Sequence, residues 1–140
     1  MRDLRAEAER EALEWLGTPY RHQASVKGQG ADCLGLVRGV YRVLHGHEPE
    51  EVPPYPPRLP RGAEPLLDAA HRWLCEVPVA CPGDLLLFRL QRGEPAAHCG
   101  ILLGGERFIH AFDGRGVVIT AYARPWSDRI AAAFSFSEHP

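Results

Sequence analysis

The sequence predicts an α+β fold, with helices in the first half of the chain and a mostly antiparallel sheet of about five strands in the second. Two observations support this prediction. Apolar residues recur at helical spacing in three segments before residue 75, and short apolar runs alternate with turn residues after residue 82. With 140 residues the chain is long enough to bury a core, so we expect one domain over residues 1–140.

Three helices are predicted from apolar spacing and from the residues that begin and end them. The first covers residues 3–16 and ends at Gly17. Asp32 is the predicted N-cap of the second helix, over residues 33–45. The third helix, over residues 65–74, begins with a proline, which fits the first turn of a helix. We expect these helices to cover one face of the sheet.

The segments between the helices have neither a helical nor a strand pattern. Residues 18–31 are polar and contain glycines, which predicts a loop. Residues 48–60 are rich in proline, which favours a connector in the polyproline II conformation laid along the surface. The alternative for residues 48–60 is a recognition motif for a proline-binding partner.

The predicted strands are apolar runs bounded by turn residues. They are Leu85–Phe88, 98–103, 108–112, 117–122 and 129–136. Gly104-Gly105 and Asp113-Gly114 fit hairpin links between consecutive strands. Short links of this kind join antiparallel neighbours, so the sheet is expected to be mostly antiparallel.

Composition and charge exclude several classes of function. The net charge of −2 argues against a nucleic-acid-binding protein, which would need a basic surface. The N-terminus, Met1–Glu7, is charged and has no apolar core segment, so we predict no secretory signal. No stretch is long and apolar enough to span a bilayer. We therefore expect synthesis in the cytoplasm and export only with a carrier.

Four cysteines permit disulfides or a zinc site on paper, but neither fits the context. A chain of this size does not need disulfides. The four cysteines also lack the short Cys-to-Cys spacing that is typical of a structural zinc site. Cys75, Cys81 and Cys99 are predicted to be buried small hydrophobic residues. We predict no metal and no cofactor.

Cys33 is the candidate nucleophile. It follows the capping Asp32 directly and so lies in the first turn of the second helix, where the helix dipole favours a thiolate. Its backbone N–H has no partner within the helix and can donate to an oxyanion. The alternative is an inert buried cysteine, which is common in helices. The position behind the cap, before the apolar stripe, favours reactivity.

Two histidines are predicted on neighbouring strands. His98 begins one strand and is the candidate general acid and base, while His110 lies on the next and can orient the imidazole of His98. A cysteine at a helix start with such histidines is typical of papain-like cysteine hydrolases. A structural, partly buried histidine is the alternative for His110. Tyr20 lies in a loop that can fold over Cys33, although an aromatic there is more often a packing residue.

Five short motifs follow one another along the chain. They are Gly17–Tyr20, Gly30–Val37, Pro82–Phe88, His98–Leu103 and Phe108–Ala111. In this order they resemble the NlpC family of papain-like cysteine peptidases, which cut bacterial cell-wall peptides. The resemblance implies that Cys33 is the nucleophile, His98 the base and His110 the orienting residue. It also implies that Tyr20 is an active-site wall that can hydrogen-bond near the thiol, and we group Asp32 with Tyr20 and Cys33 as candidate substrate-binding or oxyanion residues.

The resemblance also implies a substrate and a setting. The family substrate is the peptidoglycan stem peptide, typically at the bond between γ-D-glutamate and a diamino acid. The chain is most similar to short versions carried by phages and gene transfer agents, which implies phage-like tail proteins as partners and delivery to the cell wall in a particle. Many members have serine where this chain has Leu34, which leaves the bond preference open. The alternatives are an inactive tail-associated or wall-binding module and a cysteine amidase or acyltransferase on another substrate.

Overall fold

A computed structural model describes residues 1–137 and has the predicted α+β architecture. The α-helices in these residues are α1 (Leu4–Leu13), α2 (Cys33–His45) and α3 (Pro65–Trp73). A two-stranded ribbon is formed by β1 (Ser25–Val26) and β2 (Gly30–Ala31). The larger sheet contains β3 (Cys75–Val77), β4 (Leu85–Phe88), β5 (His98–Leu103), β6 (Arg107–Phe112), β7 (Gly116–Ala121) and β8 (Ile130–Ser135). A 3₁₀ helix, Trp126–Arg129, precedes β8.

The larger sheet has six strands in the order β3-β8-β4-β5-β6-β7, and all neighbours are antiparallel. The five predicted strands are present, with bounds shifted by about a residue. Strand β3 is missing from the prediction because three residues are too few to show an alternating pattern. The β1–β2 ribbon lies within residues 18–31, which were predicted to be a loop without strands.

The two faces of this sheet are covered differently. Helices α1 and α2 pack on one face and form the main apolar core, with Leu36 and Val40 of α2 near Leu87 and Ile101 of the sheet. The opposite face carries a smaller cluster of aromatic and aliphatic side chains. Its members are Leu86, Phe88, Leu102, Phe108 and Ala133, with Val77, Ala80, Tyr122 and Trp126 at its margin. Strands β4, β5, β6 and β8 therefore send alternate side chains into two separate clusters.

Helix α1 ends at Leu13, three residues before the predicted Leu16. The chain tightens at this end because the next N–H groups bond three residues back, such as Trp15 N–H to Ala12 O at 3.0 Å. The tighter turn directs the Trp15 ring onto Gly39 of α2, where a Cβ atom would lie 2.0 Å from a ring carbon. Packing between α1 and α2 therefore ends α1 before its apolar pattern ends.

The start of α2 is as predicted, and its geometry is set locally. Asp32 is the N-cap, and its Oδ1 accepts a hydrogen bond from the Gly35 N–H at 2.7 Å. A Cβ on Gly35 would lie 1.8 Å from the Ala24 carbonyl oxygen, so the preceding loop packs directly on the first turn. Gly46 ends the helix with a left-handed φ of 80°.

The proline-rich segment 48–60 forms no helix or strand, as predicted. It does not simply follow the surface, however, because residues from it form one wall of the large cavity described below. Helix α3 follows, one residue shorter than predicted. Across residues 1–137, every helix falls short of the length and apolar character that a membrane span requires.

Candidate active site

Cys33 is the first residue of α2, and its half-buried side chain faces the start of β5. Its Sγ lies 3.9 Å from the carbonyl oxygen of Ala97, the residue before β5. The first turn of α2 and the first residues of β5 therefore meet at one point.

His98 and His110 are in direct contact at this point. The His98 Nε2 lies 2.8 Å from the His110 Nδ1, and the two rings are nearly perpendicular, at 82°. Their exposed fractions are 7% for His98 and 1% for His110. The register that pairs Ile101 with Ile109 puts both histidines on the aromatic face of the sheet. The structure thus brings together the two histidines that the sequence analysis singled out.

The second nitrogen of His110 also has a partner. Its Nε2 lies 2.9 Å from the hydroxyl oxygen of Thr120 on β7. Burial, and then the charge of His98, lowers the pKa of His110 to about 3, so its ring is neutral at physiological pH. Thr120 was not predicted, since a lone threonine in a strand carries no signal until the register of β6 and β7 is known.

The surroundings of Cys33 favour its thiolate. Its pKa is well below the usual range because the Cys99 thiol donates a hydrogen bond to the sulfur, and His98 adds a second hydrogen bond and positive charge. Burial and the nearby Asp32 carboxylate act in the opposite direction. In turn, the Cys33 thiolate raises the pKa of Cys99, which stays protonated and remains a donor.

Asp32 is held by several groups of the chain itself. Besides capping Gly35 with Oδ1, its Oδ2 accepts hydrogen bonds from the Gln23 N–H, at 2.7 Å, and from the Tyr55 hydroxyl. The His22 Nδ1 lies 3.9 Å from the same oxygen. Asp32 is 2% exposed, so its carboxylate ties the loop before α2 to the proline-rich segment.

Tyr20 and Tyr55 both lie on the cavity wall, and of these two Tyr20 was predicted. Tyr20 lies on the cavity wall, where burial and the neighbouring Cys33 thiolate raise the pKa of its hydroxyl to about 12. It is therefore a hydrogen-bond donor at neutral pH. Tyr55 was missed, because the pattern of prolines around it predicted a surface connector. Burial and its hydrogen bond to Asp32 raise the pKa of Tyr55 as well.

A cavity of about 510 Å³ opens beside Cys33 and His98. Volumes of this size are typical of binding sites for small ligands. The wall beyond the two reactive side chains is largely apolar, and Leu34 and Trp73 contribute to it from α2 and α3. Leu34 is the residue that replaces the serine expected from the family resemblance.

The other cysteines differ in part from their predicted state. Cys99 is buried, as predicted, but it contacts Cys33 and is more than a space-filling residue. Cys75 and Cys81 are only half-buried, because one lies on the short edge strand β3 and the other in the turn before β4. Among residues 1–137, no three His, Cys, Asp or Glu side chains are grouped closely enough to hold a metal ion.

Comparisons with known proteins identify relatives of this chain. A murein DD-endopeptidase and LD-carboxypeptidase, MepS of Escherichia coli K12, is 30% identical over 131 residues, which cover 91% of this chain and 60% of that protein. The gamma-DL-glutamyl hydrolase of Bacillus subtilis 168 is 32% identical over 114 residues, or 79% of this chain and 24% of that protein. The chain thus spans less than two thirds of the length of these relatives.

Solved structures show the same fold. The NlpC/p60 domain of the peptidoglycan hydrolase SagA superposes with a TM-score of 0.66 at 26% identity, covering 94% of this chain and 97% of that domain. An NlpC/P60 protein from Bacillus cereus superposes with a TM-score of 0.69 at 21% identity, covering 96% and 40%. The sequence profile of the NlpC/P60 family matches residues 17–134. The chain therefore belongs to the NlpC/P60 family.

Proposed function

We propose that this protein hydrolyses an amide bond in peptidoglycan stem peptides by acyl transfer to Cys33. One observation carries the proposal: the Cys33 thiol, with its lowered pKa, contacts His98, whose Nε2 lies 2.8 Å from the His110 Nδ1. Amide hydrolysis by a cysteine enzyme requires a thiolate, a proton carrier and a group that orients the carrier.

In this mechanism the Cys33 Sγ attacks the carbonyl carbon of the scissile amide. The negative charge that develops on the carbonyl oxygen is stabilised by the backbone N–H of Cys33 at the start of α2. His98 gives its proton to the leaving amine and then accepts one from the water that hydrolyses the thioester. His110 fixes the His98 ring, and the protonated Tyr20 hydroxyl donates to the substrate at the cavity wall.

The proposed bond is that between γ-D-glutamate and the diamino acid of the stem peptide. The activities named for the relatives, a murein endopeptidase and a gamma-DL-glutamyl hydrolase, support substrates of this kind. We further propose that residues 1–140 act as one catalytic domain, and that a phage-like tail particle carries it to the cell wall. The family resemblance of the motifs supports that setting.

The test is digestion of purified muropeptides of known structure, followed by mass spectrometry of the fragments. We expect two fragments whose masses place the cut after γ-D-glutamate, and no product with Cys33→Ala. Cys81→Ala is the matched control, because it removes a cysteine outside the site and should leave cleavage unchanged. Absence of cleavage by the wild-type protein, or equal cleavage by Cys33→Ala, would refute the proposal and favour an inactive wall-binding module.

The apolar lining of the cavity favours a second candidate, an amidase or acyltransferase for a substrate with an apolar acyl group. The cysteine chemistry would be the same. A series of p-nitrophenyl esters with increasing acyl length distinguishes the two. For the second candidate kcat/KM rises steadily with chain length and muropeptides are not cut. A flat series together with muropeptide cleavage excludes it.

A further inference from the structure

We propose that Thr120 is a positioning residue for catalysis: its hydroxyl accepts the His110 Nε2–H and thereby keeps His110 in the tautomer that can hold a protonated His98. The inference builds on the proposed thiol mechanism. It rests on an unbroken chain of contacts, from His98 Nε2 to His110 Nδ1 at 2.8 Å and from His110 Nε2 to Thr120 Oγ1 at 2.9 Å.

The protons on these hydrogen-bonded rings determine what Thr120 does. When His98 has accepted a proton, both of its ring nitrogens carry hydrogen, so its Nε2–H must donate to His110 Nδ1. A neutral His110 then has its single proton on Nε2. That N–H needs an acceptor, because His110 is 1% exposed and its ring lies against Phe108 and Trp126. Within residues 1–137 the structure gives the Nε2 of His110 one hydrogen-bond partner, the Thr120 hydroxyl.

The other tautomer cannot serve this step. With its proton on Nδ1, His110 would direct an N–H at the N–H of a protonated His98, and the two would repel each other at 2.8 Å. A substitution that removes the acceptor on β7 shifts His110 toward that tautomer. We therefore expect a loss in the chemical step while substrate binding is preserved.

The placement of Thr120 follows from the sheet. Val118 of β7 is directly opposite His110, and Thr120 is the next residue along β7 on the same face. Its branched Cβ restricts the side-chain rotamer on a strand, which fixes the hydroxyl.

The kinetic test compares Thr120→Val, which keeps the shape and removes the hydroxyl, with Thr120→Ser, which keeps the hydroxyl. For Val we expect kcat on muropeptides to fall about 10–100-fold with KM nearly unchanged, as for groups that orient an active-site histidine. Thr120→Ser should retain most of the wild-type kcat. Val118→Ala is the control, since it alters packing beside His110 without removing a hydrogen bond, and it should leave kcat within about twofold of wild type.

A second measurement needs no substrate. In ¹⁵N NMR spectra of the histidine rings, assigned with His110→Asn, the wild type should show His110 protonated at Nε2, and Thr120→Val should show protonation at Nδ1 or a mixture. If the wild type cuts no muropeptide, the function proposed above fails, and this spectrum alone decides the role of Thr120. An unchanged tautomer in Thr120→Val, or a full kcat in that variant, would overturn the inference.

Discussion

The start of α2 and the β5–β6–β7 strands each contribute half of the candidate site, and they are held in different ways. At the helix start, Cys33 is positioned by neighbours in the chain, through the Asp32 cap on Gly35. On the strands, His98 and His110 are 12 residues apart and meet only through the sheet register. The proposed nucleophile therefore depends on a few local residues, whereas the proposed base depends on the assembled sheet.

The largest effect is expected at His98, where the two halves meet. His98→Gln removes the proposed proton carrier while keeping a polar side chain of similar reach, so kcat/KM on muropeptides should fall by about 10²–10⁴-fold. The variant should also lose the charge that favours the Cys33 thiolate. Steady-state kinetics measures the loss, with circular dichroism as a check on folding. Activity within tenfold of wild type would mean that another group carries the proton.

The next effect concerns the strand half alone, through the pH dependence of stability. The pKa of His110 is about 3 in the folded protein against an ordinary 6.5. Below pH 6.5 this histidine therefore takes up a proton in the unfolded chain but not in the folded protein. Its contribution to the free energy of unfolding is fully present above pH 6.5 and is lost as the pH falls toward 3. Between pH 7 and pH 5 we expect a loss of about 2 kcal/mol in the free energy of unfolding from this residue.

Urea denaturation at both pH values measures this loss, with His110→Asn as the reference. The variant cannot take up that proton, so its stability should change less with pH than that of wild type. The difference between the two curves removes the contribution of the other histidines. Parallel curves for the two proteins would show that His110 is not held neutral by the fold.

A smaller effect is expected at the helix start. Gly35→Ala places a Cβ 1.8 Å from the Ala24 carbonyl oxygen, so the loop before α2 must move. Overpacking of this kind costs about 1–3 kcal/mol of stability. Arg38→Ala, on the same helix but half-buried and paired with Glu48, is the control and should cost about 1 kcal/mol or less. Thermal unfolding compares them, and equal losses would contradict a tight contact at Gly35.

The smallest effect is expected where the proline-rich segment touches the helix start. Tyr55→Phe removes the hydroxyl that donates to Asp32 while keeping the ring. We expect a stability loss of about 1 kcal/mol, the usual contribution of one such hydrogen bond. Because the Asp32 carboxylate raises the pKa of Cys33, a less engaged carboxylate should also slow alkylation of Cys33 at neutral pH. An unchanged alkylation rate would show that the proline-rich segment does not influence Cys33.

The sequence predicted the local features of the molecule well. The bounds of α2, the Asp32 cap and the strand positions of His98 and His110 all follow from short patterns, and the structure has them as expected. The helix start needs only its own residues to be recognised. This explains why Cys33 could be identified as a candidate before any fold was known.

The side-chain contacts of the site that were missed all join distant parts of the chain. Thr120 reaches His110 through the register of two strands, and Tyr55 reaches Asp32 from a segment with no regular structure. Cys99 was taken for a buried hydrophobic residue because nothing local shows that its thiol meets Cys33. Periodicity cannot reveal such contacts, since it describes which face a residue occupies and not what it meets there.

The central claim is that Cys33 is a thiolate at neutral pH because the Cys99 thiol and His98 lie beside it. The most direct test is the pH dependence of Cys33 alkylation by iodoacetamide, followed by mass spectrometry of its peptide, in the wild type and in His98→Gln. For wild type we predict reaction at pH values well below 9.0, the ordinary thiol pKa, and for His98→Gln a shift toward 9.0. A wild-type profile centred near 9.0 and unchanged in His98→Gln would contradict the account.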